Sequence, residues 1–194
     1  LPISIRIDVN TTGHFTNCIF EGNSVRQCGG AVFLGNSSMS FHQCQFIRST
    51  AVNGAAFCIL QSQLNISDSS CFDGSAEDTG GCLLAQASRL RIQNMTTWNN
   101  NAVGGGALIL AESSEAIMTN SRLVANNASE SGAAVYMLAS ELIASNLIVS
   151  RNRASRSGGG FLFLGSSRFQ ITNGTFTENS ASYGGAVTIA NSIG

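Results

Sequence analysis

The chain has 194 residues, only 11% of them charged, and a formal net charge of −1. All ten basic residues are arginines, set against eleven acids, so the chain lacks the clustered basic surface that nucleic-acid binding requires. Hydrophobic residues make up 43%, enough for a core, yet apolar runs such as Phe161-Leu162-Phe163-Leu164 are far too short to span a bilayer.

The chain enters on Ile5, Ile7 and Val9, which align with Ala31, Phe33 and Gly35. From there one pattern recurs about every 26 residues, a period that signals stacked structural repeats. Each copy opens on an alternating run such as Leu142-Ile143-Ala144-Ser145 or Phe169-Gln170-Ile171-Thr172, and the period of two reads as a strand. The run closes on a polar position: Asn17, Gln43, Asp68, Asn94, Asn120, Asn146 and Asn173. Next comes an apolar landmark with Asn three residues later, at Phe20/Asn23, Trp98/Asn101, Leu123/Asn126, Val149/Asn152 and Phe176/Asn179, with degenerate copies at Phe46/Ser49 and Cys71/Gly74. A small-residue pair follows, at Gly29-Gly30, Asn53-Gly54, Gly80-Gly81, Gly105-Gly106, Ser131-Gly132, Gly159-Gly160 and Gly184-Gly185. It predicts a corner needing positive φ or close backbone approach. A second short apolar run, such as Ala31-Val32-Phe33-Leu34 or Ala186-Val187-Thr188-Ile189, completes the copy.

Strands and turns fill the repeat and leave no room for a helix. The predicted fold is therefore all-β: a right-handed single-stranded parallel β-helix of about seven coils, with residues 1–194 forming one segment. Stacking places equivalent side chains about 4.8 Å apart. At that spacing the column from Asn17 through Gln43, Asp68, Asn94, Asn120 and Asn146 to Asn173 is expected to form an inner amide ladder, with the landmark asparagines forming a weaker second one. Phe33, Phe57, Leu84, Ile109, Val135, Phe163 and Thr188 are expected to fill the interior. Both chain ends stop in mid-repeat without a polar cap, which predicts continuation in a longer solenoid or end-to-end stacking of copies.

The pairing of Phe20-Glu21-Gly22-Asn23 with Gly29-Gly30-Ala31-Val32, and of Phe176-Thr177-Glu178-Asn179 with Gly184-Gly185-Ala186-Val187, resembles the repeats of the polymorphic outer membrane protein family, the autotransporter-like adhesins of chlamydiae. The resemblance covers essentially the whole chain. It implies a right-handed β-helix, surface exposure and an adhesive or structural role, and it implies no catalytic residue.

Six cysteines and six Asn-x-Ser/Thr sequons suit an extracellular or cell-surface location. Cys18 and Cys44 lie one repeat apart and both follow the ladder position, so a disulfide between adjacent coils is expected. Cys28, Cys58, Cys71 and Cys82 allow three pairings, with buried free thiols the alternative at Cys71 and Cys82. Asn10, Asn36, Asn65 and Asn127 fall in turns or point outward and are the expected glycosylation sites. Asn94 and Asn173 belong to the ladder and are expected to stay bare.

Three groups of residues are candidates for chemistry. Arg89, Glu115, Glu141 and Arg168 share one column on successive coils. Asp73, Glu77 and Asp78 are neighbours on one turn. His14 and His42 fall near one column, but two ligands do not make a metal site. No P-loop, calcium-binding nonapeptide or nucleophile elbow is present. The expected function is an extracellular structural or adhesive repeat protein, a fibre- or filament-forming glycoprotein. It is expected to have no enzymatic activity, no cofactor and no metal. Its expected partners are further copies or continuations of itself, together with glycans or cell-surface molecules. The alternative is a carbohydrate-binding or polysaccharide-active β-helix, which an exposed aromatic stripe would favour.

Overall fold

Each coil is shaped by residues that accept the left-handed backbone conformation, a region L-residues seldom enter and asparagine enters most readily. One bend is made by Asn36, Gln61, Ala87 and Ala139, with φ between 47° and 51°. The next is made by Asn17, Gln43, Asp68, Asn94, Asn120, Asn146 and Asn173, with φ between 51° and 55°. A third is made by Arg48, Asp73, Asn99, Ala125, Arg151 and Glu178, with φ between 50° and 57°. Glycine turns the remaining corner at Gly29, Gly54, Gly80, Gly105, Gly132, Gly158 and Gly184, with φ between 54° and 74°. The neighbouring position is crowded: a Cβ on Gly81 would lie 2.1 Å from the Gly106 carbonyl oxygen. The left-handed glycine is the second residue of Asn53-Gly54 and Ser131-Gly132, and it is Gly158 rather than Gly159. All seven coils therefore carry glycine at this position.

A computed structural model describes residues 5–190, and strands stack across these bends as a parallel β-solenoid with no helix among the described residues. One sheet has eight strands: Ile5–Asp8, Val32–Gly35, Phe57–Leu60, Leu83–Gln86, Leu108–Ala111, Val135–Leu138, Phe161–Leu164 and Val187–Ala190. A second contains twelve strands, among them Gln63–Ser67, Arg89–Gln93, Glu115–Thr119, Ser70–Phe72, Thr96–Trp98 and Arg122–Val124. A third has five, from Thr50–Asn53 to Arg153–Ala154. The bends are hydrogen-bonded between coils as well; Asn94 N–H donates to the Thr119 carbonyl at 3.0 Å. The ends near Leu1 and Gly194, where open strand edges are expected, lie outside the described residues.

The interior is one continuous apolar column. Phenylalanines stack along it: Phe20 on Phe46 with ring centroids 4.8 Å apart, Phe15 on Phe41 at 5.2 Å, and Phe163 on Phe169 at 4.0 Å. The expected core column is corrected in part. Phe57, Val135 and Phe163 face inward, but Phe33, Leu84, Ile109 and Thr188 pair with Cys58, Tyr136 and Leu162 on the opposite face of the sheet. There Cys58, Leu84 and Ile109 form a separate buried cluster with Cys28, Phe33 and Tyr136 against it. These strands are apolar on both faces, so alternation carries no sign. At the start of the chain, Ile5 pairs with Val32 rather than Ala31, one residue from the expected register.

The column from Asn17 to Asn173 does form a ladder, but its side chains are exposed. Asn94 donates to Asp68 at 2.7 Å, Asn146 to Asn120 at 2.9 Å and Asn173 to Asn146 at 3.2 Å, all at the surface. The expected inner placement is wrong because a left-handed residue points outward and its successor points inward. The buried ladder is the landmark column, corrected at one coil from Asn101 to Asn100. Asn100, Asn126 and Asn152 are fully buried, and their amides link at 3.0, 3.0 and 2.9 Å down to Asn179. A serine ladder lies at another bend, where Ser62 N–H donates to Ser88 Oγ at 3.1 Å and Ser88 N–H to Ser114 Oγ at 3.2 Å. Each satisfies buried polar groups that would otherwise be costly. Ser49 Oγ, too short to continue the asparagine ladder, is the one buried side-chain polar atom without a partner among the described residues.

Candidate functional surface

With the interior filled, functional groups can act only from the outer faces. Arg89, Glu115, Glu141 and Arg168 are in register on four successive strands, as their column predicts. Arg89 Nε donates to Glu115 Oε2 at 3.1 Å, and both side chains are largely exposed, so the pair contributes little to stability. Beside them, Arg91, Ile117 and Ile143 complete a shallow groove of about 290 Å³. A neighbouring depression of about 300 Å³ includes Glu141, Ser166 and Arg168.

The other acids are dispersed. Asp73 accepts a hydrogen bond from Asn99 at 2.7 Å, while Glu77 and Asp78 are exposed. Among the described residues no three His, Cys, Asp or Glu side chains converge as a metal-binding group. The histidines do not share a column: His14 pairs with Ser40, and His42 pairs with Thr16. His42 Nδ1 lies 2.9 Å from Ser67 Oγ and 3.3 Å from Asp68.

The expected Cys18–Cys44 disulfide is not formed, and both residues are free thiols. Their coils are adjacent, but the thiols turn back onto backbone carbonyls. Cys18 Sγ donates to Thr16 at 3.3 Å; Cys44 Sγ donates to His42 at 3.3 Å. Burial pushes the Cys44 thiol pKa above its ordinary value. The bonded pairs are Cys28–Cys58, joining adjacent coils with Cα atoms 5.5 Å apart, and Cys71–Cys82, crossing the interior of one coil at 6.2 Å.

Asn10, Asn36, Asn65 and Asn127 are exposed, and so are Asn94 and Asn173. Burial therefore does not separate the six sequons, because the ladder carrying two of them is an outer one.

The landmark column is shifted by one residue in the coil of Trp98. Thr97, fully buried, is the inward landmark residue in its coil, and Trp98 points out with 47% of its surface exposed. Phe72 pairs with Trp98, Ile47 with Phe72 and Val124 with Trp98, so the outer face carries an apolar stripe across four coils. Reading Trp98 as the core landmark hid this stripe; Thr97 at the start of an alternating Thr-Trp pair was the only clue.

A family model described as "Right handed beta helix region" matches residues 5–176. No curated protein and no solved structure matches the chain.

Proposed function

The chain belongs to the right-handed β-helix family, and from that premise we propose that it is a non-enzymatic extracellular or cell-surface protein with an adhesive or structural role. The observation that carries the reading is the allocation of its polar groups. Buried amides and hydroxyls are consumed by ladders that hold coil to coil, as at Asn126 and Ser88. Surface charges pair with opposite charges, as at Arg48 and Glu21, and the longest run, Arg89, Glu115, Glu141 and Arg168, balances in sign. This is how a rigid rod is built, and it leaves the outer faces for binding. The resemblance of its landmark motifs to the chlamydial surface adhesins supports the same role. Two disulfides suit an oxidising compartment. In this reading the partners are further copies of the solenoid and surface glycans or proteins, and no step requires a cofactor or metal.

Labelling of intact cells with an antibody to the chain tests the location, and site-resolved glycopeptide mass spectrometry tests the glycoprotein reading. Surface labelling is expected, with sugar at exposed sequons that include Asn94 and Asn173. Labelling only after permeabilisation, with all six sequons bare, sinks both.

A second reading, a carbohydrate binder, is favoured by exposed Trp98 paired with half-buried Phe72 on the outer face.

A further inference from the structure

The stripe of Ile47, Phe72, Trp98 and Val124 stands on the rigid outer face of the second sheet, one residue per coil. Trp98 is exposed and Ile47, Phe72 and Val124 are half-buried; apolar surface held in line on a stiff scaffold invites a partner, and its dimensions restrict which. It is about 14 Å long, three steps of about 4.8 Å, and one side chain wide. A stable protein interface needs roughly 800 Å² from each partner, which a stripe this narrow cannot supply.

Its borders restrict the chemistry. Along one edge Asp73 and Asn99 are hydrogen-bonded at 2.7 Å, and beyond the other edge Asp68 and Asn94 are joined at 2.7 Å. Both pairs sit on left-handed bends and are held in place by the stack. They line the platform with fixed acceptors and donors. Asp68 and Asp73 flank the Phe72 coil, whereas the cations lie on the end coils, Arg48 already paired with Glu21 and Arg122 beside Val124, so the field over the centre of the stripe disfavours an anionic chain.

We infer that this stripe binds an uncharged, unbranched oligosaccharide of β-linked pyranoses, extended parallel to the solenoid axis. The C–H faces of the sugar rings lie on Trp98 and Phe72, and ring hydroxyls reach the adjoining Asp73 and Asn99 row. The step between coils is close to the length that one pyranose adds to an extended β-1,4-linked chain, so successive rings meet successive coils. The inference rests on the adhesive reading and specifies the surface and ligand class through which adhesion acts.

Trp98 is the only tryptophan in the chain, so its fluorescence reports on this position alone. The full chain is titrated with cellohexaose, mannohexaose and xylohexaose, with hexagalacturonate as the charged comparison. A saturable blue shift with at least one uncharged sugar, absent with the charged one, is expected. By calorimetry, Trp98→Ala should weaken that binding about tenfold or more, and Trp98→Phe should restore most of it. Trp98 is exposed, so both variants should melt with the parent chain. Three results overturn the inference: no binding of the uncharged sugars at millimolar concentration, binding that Trp98→Ala leaves intact, or preference for the charged sugar. Adhesion of the parent chain to intact cells is measured alongside. Adhesion without a tryptophan response removes this site and leaves the adhesive role standing, whereas absence of adhesion removes the role itself.

Discussion

Asn126 shows how much one side chain contributes when it belongs to a stack. Its Oδ1 accepts from the Asn100 backbone N–H at 3.1 Å and from the Asn100 amide at 3.0 Å. Its own amide donates to Asn152 at 3.0 Å and to Thr97 Oγ1 at 3.2 Å. Asn126→Ala orphans a buried backbone N–H and opens a void, which should cost about 3 kcal/mol. Asn127→Ala, one residue on and exposed, should change stability by less than about 0.5 kcal/mol. Equal melting temperatures for the two variants would refute the placement of Asn126 in a buried ladder. The cysteines offer a second measurement. Peptide mapping without reduction should recover Cys28 with Cys58 and Cys71 with Cys82. Alkylation should proceed faster at half-buried Cys18 than at Cys44, because Cys44 is buried and its raised pKa leaves less thiolate at neutral pH. A Cys18–Cys44 cross-link in that map would count against the geometry described.

The turns between strands are made of residues chosen for backbone conformation, and their order was readable because each choice recurs. The glycine corner was legible from repetition alone, since few residues other than glycine hold φ near 60° at such close approach. Gly106→Ala tests the close approach beside left-handed Gly105: the new Cβ would lie 2.4 Å from the Asn127 carbonyl oxygen and 2.5 Å from that of Ala133. Backbone atoms on both sides cannot retreat independently, so the variant should lose several kcal/mol, about 3 or more. A melting temperature equal to the parent's would mean the corner is looser than these distances allow. The strands between the corners were less legible. In Phe57–Leu60 and Leu108–Ala111 nearly every residue is buried on one face or the other, so no alternation marked which side was interior. In Gln63–Ser67 and Glu115–Thr119 alternation is clear, and the inward residues are those the pattern indicates.

Each coil contacts its neighbours and little else, so stability is a sum of local and interfacial contributions that need not be uniform along the rod. Both disulfides lie between residues 28 and 82, in the first half of the chain. They close segments with sequence separations of 30 and 11, for which the chain-entropy relation gives about 3.6 and about 2.8 kcal/mol. Reduction should therefore loosen the early coils selectively. Hydrogen exchange after reduction should accelerate in Val32–Gly35 and Phe57–Leu60 more than in Val135–Leu138. Uniform acceleration along the chain would show that the solenoid melts as one cooperative unit.

The sequence by itself determined the class of fold, the repeat length and, to within one residue, the place of the glycine corner. These follow from period and backbone conformation, which are local properties repeated seven times. Only the tertiary structure decided which face of each strand is inside, which of two adjacent asparagines is buried and which cysteines are bonded. Those outcomes turn on a shift of a single residue, from Asn101 to Asn100 or from Trp98 to Thr97. In a strand such a shift exchanges core for surface. The period is unchanged by it, so the sequence pattern carries the architecture while packing between coils settles the register.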